Sequence, residues 1–170
     1  PICLTKTGPG ILTISTNKKT YTGDTVFSTD SGRTRYSASG SITGTGSVTV
    51  MSGSQLDIIT NGDYSFGSVL NLSSEGYTAF PGALRTETGF AATSATPVVL
   101  QSNSNIIPAG TGRSISLSGG ISGPGRLEVG SVHGNPLTQG TFTLTSANTY
   151  QSGTLVGPGT LILSSAGTNL

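Results

Sequence analysis

A short unit recurs along this chain: Gly, any residue, Gly, one free residue, then an apolar–any–apolar triplet. It stands at Gly8 (G-P-G-I-L-T-I), Gly44 (G-T-G-S-V-T-V), Gly123 (G-P-G-R-L-E-V) and Gly157 (G-P-G-T-L-I-L). A turn-plus-strand unit that repeats cannot bury its apolar side alone, so it stacks on copies of itself and makes a coil built rung on rung. The middle copies also align upstream, where Ser37–Ile42 (S-A-S-G-S-I) matches Ser116–Ile121 (S-L-S-G-G-I).

Composition agrees with a thin, ladder-like core. The 170 residues include 26 glycines, aromatics are 6% and Trp is absent, too few large side chains for an ordinary globular interior. At 33% hydrophobic, with regular alternation, the chain is too apolar to be disordered. Apolar–polar–apolar triplets occur at Leu12–Ile14, Val48–Val50, Leu56–Ile58, Leu70–Leu72, Ile115–Leu117, Leu127–Val129, Phe142–Leu144 and Leu161–Leu163. In each, the outer pair points one way and the middle residue the other, which is the strand period. No stretch carries a helical period.

The expected fold is therefore all-β: a parallel β-helix (β-solenoid), one elongated domain over 1–170 with open ends. Repeat-like units lie near 4–26, 37–58, 115–129 and 142–170, and 62–108 is a degenerate or loop-bearing section. At roughly 20 to 35 residues per repeat and about 4.8 Å between stacked strands, this gives some five to eight rungs and a rod roughly 25 to 40 Å long. End rungs of such a coil present unpaired backbone groups, and no polar cap is visible at Pro1–Leu4 or Leu161–Leu170. At the middle position of the four triplets stand Thr13, Thr49, Glu128 and Ile162, and just before them Ile11, Ser47, Arg126 and Thr160. Only the outer copies carry isoleucine there. Ile2, Cys3, Leu4, Ile11, Ile162, Leu163 and Leu170 are accordingly the expected assembly contacts.

The residues L-T-K-T-G-P-G-I-L-T-I-S (Leu4–Ser15), T-Y-T-G-D-T (Thr20–Thr25), I-S-G-P-G-R-L (Ile121–Leu127) and L-T-S-A-N-T-Y-Q-S-G-T-L (Leu144–Leu155) resemble the autotransporter-associated β-strand repeat, also called the passenger-associated transport repeat. The resemblance implies a right-handed parallel β-helix in a secreted bacterial protein displayed at the cell surface. It supplies scaffold and length and brings no catalytic residues.

Charge narrows the chemistry. Eight basic residues face seven acidic ones, without runs of either sign, so phosphate-backbone binding has nothing to use and no nucleic-acid partner is expected. No apolar stretch is long enough for a transmembrane segment. The single cysteine, Cys3, excludes an internal disulfide and argues against a Cys-based metal site. The acids, Asp24, Asp30, Asp57, Asp63, Glu75, Glu87 and Glu128, are expected to be dispersed along the rod. Asp24/Asp30 and Asp57/Asp63 come closest to pairs, and their neighbouring turns suggest that they cap local backbone. His133 sits in a loop by composition, and the T-x-T pairs read as ordinary strand threonines. No metal, cofactor or enzymatic activity is expected.

The reading is a structural extracellular or bacterial cell-surface protein, a stiff rod or filament assembled end to end with other copies or with adjoining segments of a longer chain. The alternative is an adhesin passenger segment binding a cell-surface or glycan ligand through aromatic insertions at Tyr64–Phe66 and Tyr77–Phe90. A polysaccharide-active β-helix is third, and would need a cleft holding two acids within several ångströms.

Overall fold

The structure, a computed structural model, describes residues 2–15, 21–41, 45–77, 80–87, 89–130 and 140–164. Its strands run in chain order as follows: β1 (Leu4–Lys6), β2 (Leu12–Ile14), β3 (Thr25–Phe27), β4 (Gly32–Tyr36), β5 (Gly40–Ser41), β6 (Val48–Val50), β7 (Ser54–Ile58), β8 (Gly62–Ser65) and β9 (Leu70–Leu72). A hairpin of β10 (Gly76–Tyr77) and β11 (Phe80–Pro81) interrupts the series. There follow β12 (Leu84–Thr86), β13 (Ala91–Ser94), β14 (Val98–Leu100), β15 (Ser104–Pro108), β16 (Ser114–Leu117), β17 (Ile121–Ser122), β18 (Leu127–Val129), β19 (Thr141–Leu144), β20 (Thr154–Val156) and β21 (Thr160–Leu163).

These strands form three parallel sheets wound around one axis. The first is β1-β3-β6-β9-β14-β17, the second β2-β4-β7-β12-β15-β18-β20, and the third β5-β8-β13-β16-β19-β21. Within each sheet the strands follow one another in chain order, each successive rung adding its strand beside the last, so the expected β-solenoid is the observed fold. There is no helix among the described residues.

Register places like on like. In the first sheet, Leu4, Thr25, Val48, Leu70, Val98 and Ile121 form one inward column, with Phe27, Val50, Leu72 and Leu100 beside it. The second sheet contributes Leu12, Thr34, Leu56, Leu84, Ile106 and Val129. The third adds Ala92, Ile115, Phe142 and Leu161. These columns meet in a single core in which Phe27, Tyr36, Leu56, Leu100 and Phe142 are fully buried. Serines fill the tight corner between the first two sheets. The Ser31 and Ser54 hydroxyls lie 2.9 Å apart, and Ser74 Oγ donates to Ser54 O at 2.8 Å. The abundance of serine is thus partly structural, because a buried hydroxyl needs such a partner.

The recurring Gly-x-Gly unit does not mark one place in the rung. Gly8–Gly10 leads into β2 in the second sheet, Thr45–Gly46 into β6 in the first, Gly123–Gly125 into β18 in the second, and Gly157–Gly159 into β21 in the third. It is a corner device used at all three corners. The upstream alignment of Ser37–Ile42 with Ser116–Ile121 is likewise not the structural register. Gly40 pairs with Tyr64 inside the third sheet, whereas Gly119 lies in the corner after β16.

What the corner glycine does is visible at Gly125. A Cβ there would lie 2.0 Å from Ser102 O, in the backbone of the preceding rung. At Gly46 the same atom would lie 2.3 Å from Gly23 O. Successive corners approach too closely for any side chain.

Candidate functional site: the coil ends and an arginine face

The expected assembly contacts divide between opposite ends of the coil. At one end, Ile2 is 76% and Ile11 60% exposed, Cys3 is exposed and Leu4 half-buried. Strands β1 and β2 are terminal in their sheets, so each has one edge unpaired among the described residues. At the other end, β20 and β21 are terminal; Ile162 is exposed, and Leu163 is half-buried against the core. Leu155 and Val156 are also exposed there, an apolar pair the sequence reading missed because no Gly-x-Gly unit introduces it. Leu170 lies outside the described residues, as does His133.

Two details refine the first end. Lys6 occupies the inward column beside Phe27, and its ammonium donates to Gly8 O at 2.9 Å and to Ser31 O. Its stem covers apolar surface while the charge is satisfied at the corner, and burial pulls its pKa below the ordinary lysine value. Gly10 holds the same position in its Gly-x-Gly unit as Gly46 and Gly125 do in theirs, yet a Cβ there would meet nothing within 4 Å.

A second constellation was hidden in the sequence. Alternation along β4, β7 and β12 turns Arg33, Arg35, Gln55, Asp57 and Arg85 to the outside of the second sheet, and register sets Arg35, Asp57 and Arg85 in one column. Arg33 donates to both Asp57 and Glu87, and Arg35 donates to Glu87. Arg35 Nε also stands 3.9 Å from Asp57 Oδ2. The hairpin shields part of this face, since Gln55 Nε2 donates to Pro81 O at 3.2 Å and Gly82 O at 3.0 Å. Asp57 and Gln55 are fully buried although they point away from the core.

This corrects the picture of scattered, turn-capping acids. Asp57 is the central residue of an ionic network within a strand, and it shares a hydrogen bond with Glu87. Of the others, Asp24 accepts from Ser47 N and Oγ, both at 2.8 Å, and Asp63 accepts from Thr93 Oγ1. Both bonds reach the next rung and not their own turn. Glu128, expected on a polar outer surface, is fully buried and paired with Arg126.

Burial drives the Asp57 carboxyl up to about 6, against the opposing pull of Arg33. Burial also opposes ionisation of Glu87, but its bonds with Asp57, Arg33 and Arg35 outweigh it and leave Glu87 below the usual value. The signs are opposite. Asp57 contributes stability that is full below its unfolded value and lost as pH rises through about 6. Glu87 contributes stability that is lost as pH falls through its lowered value. Asp57→Asn is therefore expected to flatten the fall in melting temperature between pH 5 and 7.5, measured by thermal denaturation across that range; an unchanged slope contradicts the assignment.

The aromatic insertions resolve differently. Tyr64 and Phe66 are core residues, 3% and 1% exposed, with rings stacked at 6.5 Å, because Tyr64-Ser65-Phe66 is itself an apolar–polar–apolar strand triplet. Among the described residues from Tyr77 to Phe90 the hairpin leaves the coil, and β12 within that stretch is a core strand. Below the hairpin, a groove of about 650 Å³ runs across several corners, lined by Ser52, Glu75, Gln101 and Asn103 among others. Among the described residues no three His, Cys, Asp or Glu side chains gather as metal ligands. No family model, curated protein or solved structure matches this chain.

Proposed function

We propose that the protein is a structural β-solenoid that extends by stacking one copy on the next, forming a stiff rod or filament outside the cell. The observation that carries this reading is Gly10. At Gly46 and Gly125 the missing side chain is what lets the neighbouring corner approach, and Gly10 presents the same cleared surface with nothing on it. The edges of β1 and β2 that are unpaired among the described residues lie beside it, and the opposite end offers β20 and β21 with Leu155, Val156 and Ile162 exposed. Stacking one end on the other continues both the hydrogen-bond ladder and the apolar columns, and a head-to-tail contact that does not close makes a filament. The likeness of Leu4–Ser15 and Ile121–Leu127 to the autotransporter-associated repeat supports a bacterial cell-surface setting.

Gly10→Val tests this. Because the added side chain touches nothing in the single chain, the variant is expected to melt as the parent does and to lose concentration-dependent assembly in sedimentation velocity. Equal assembly of both proteins rules out stacking on this corner. A second reading, a rod that displays a ligand-binding loop, is favoured by the hairpin and the polar groove beneath it. The acids Asp57 and Glu87 do come together, but inside an arginine-clamped network, which supports a fastening role over glycoside hydrolysis.

A further inference from the structure

The groove below the hairpin is lined along four successive corners between the first and second sheets. Ser52 stands on the corner before β7, Ser73 and Glu75 on the next, Gln101 and Asn103 on the third and Pro124 on the fourth. Three intervals of about 4.8 Å between stacked rungs make a straight track roughly 14 Å long. Gly76 opens the hairpin at its side, and Gly82 N donates to Glu75 O at 2.8 Å, so the insertion walls the track where Glu75 stands. Its volume of about 650 Å³ falls within the range of small-ligand sites.

Side chains on this track are held in place with complementary capacity left over. Asn103 Oδ1 accepts from Arg126 N at 3.2 Å, which leaves the Asn103 Nδ2 hydrogens to donate. Gln101 Nε2 donates to Asn71 Oδ1 at 3.2 Å, which leaves Gln101 Oε1 to accept. Both residues are exposed. A donor and an acceptor are thus fixed on a single corner, flanked by the Ser52 and Ser73 hydroxyls and by the Glu75 carboxylate, which only accepts.

Ligand chemistry follows from that lining. None of the described lining residues is basic, so an anionic ligand would meet Glu75 with no offsetting charge. Pro124 is the one apolar side chain among them, too little surface to hold a lipid or an aromatic group. Hydroxyl, amide and carboxylate groups suit a ligand whose substituents each donate and accept, and a sugar ring with adjacent hydroxyls is such a ligand. One rung advances the track by about the reach of one ring in an extended chain.

We infer that this groove binds a neutral, extended glycan, its rings following the stacked corners, with Gln101 and Asn103 engaging adjacent hydroxyls of one ring. The site rests on the second reading, of a rod that displays a ligand-binding surface at the hairpin, and does not depend on stacking of the coil ends.

Titration calorimetry on the full chain with cellobiose, cellotetraose, cellohexaose and the coiled maltotetraose tests it. Affinity is expected to rise from cellobiose to cellotetraose, to level off at cellohexaose once the track is filled, and to be lower for maltotetraose. Asn103→Ala and Gln101→Ala, at exposed positions, are expected to stay folded and to weaken cellotetraose binding on the order of tenfold, about one hydrogen bond each. Thr143→Ala, on the third sheet, is expected to bind as the parent does. An immobilised library of random hexapeptides separates the remaining outcomes. Peptide binding that Asn103→Ala abolishes, without saccharide binding, keeps the groove as a ligand site and overturns the glycan. No binding of any probe overturns the glycan and the ligand-displaying rod together. Cellotetraose binding that both variants leave unchanged overturns this groove as its site, and equal binding of maltotetraose overturns the extended chain.

Discussion

Arg33→Leu is expected to destabilise the protein by about 3–5 kcal/mol, the usual cost of removing one partner from a buried ionic group. Arg33 is nearly inaccessible and is the side chain that donates to both Asp57 and Glu87. Without it, a fully buried carboxyl on β7 loses its principal donor, and two acids that share a hydrogen bond face each other with less positive charge between them. For a chain of this length the melting temperature falls on the order of 10 °C. The second substitution Asp57→Asn, made in the same chain, removes the stranded charge and is expected to restore part of the loss. Thermal and urea denaturation of the two single variants and the double variant measure the coupling. A loss below about 1 kcal/mol for Arg33→Leu, in the range of a surface ion pair, contradicts the network's structural role.

Gly125→Val has the second large effect. Its Cβ would stand 2.0 Å from Ser102 O and 3.0 Å from Leu100 Cβ, and Gly125 N donates to Leu100 O at 2.9 Å. The rung bearing β18 must move off the rung bearing β15, at about 3 kcal/mol, the upper part of the overpacking range. In a solenoid each rung is held mainly by its neighbours, so the damage is directional. Hydrogen exchange is expected to rise over β18, β20 and β21 and to stay low over β6 and β7. Uniform acceleration, or none, speaks against rung-by-rung stability. The contrast with Gly10→Val is instructive, since the same motif and the same change are silent in a single chain where no corner lies beneath.

The architecture was legible because a strand triplet with two apolar flanks is a local signal, and glycine-rich corners mark its ends. Val48–Val50, Leu70–Leu72 and Phe142–Leu144 all became core strands on that ground alone. The same rule also places Tyr64 and Phe66 inside, since Tyr64-Ser65-Phe66 has the triplet pattern. The rung itself was harder to read. Leu4 pairs with Thr25, Thr25 with Val48 and Val48 with Leu70, but Leu70 pairs with Val98 because the hairpin lengthens that rung. Copies of the corner motif, sitting on different sheets, could not reveal this spacing.

The arginine face was illegible for the same reason. Arg35, Asp57 and Arg85 become neighbours only once the register across β4, β7 and β12 is known, and Glu87 and Arg113 join them from corners. Charge patterning along the sequence shows isolated residues. Outward-facing side chains also become buried wherever an insertion folds back over a sheet, as the hairpin does over Gln55. Asp57 and Glu128 hold outward positions and are nonetheless fully buried.

Fibre diffraction from concentrated, aligned protein tests most directly whether the coil continues from one molecule into the next. Head-to-tail stacking predicts filaments with a meridional reflection at about 4.8 Å, the strand spacing lying along the fibre axis, and no such filaments from Gly10→Val. Monomers at every concentration, or filaments with that spacing across the axis, would contradict it.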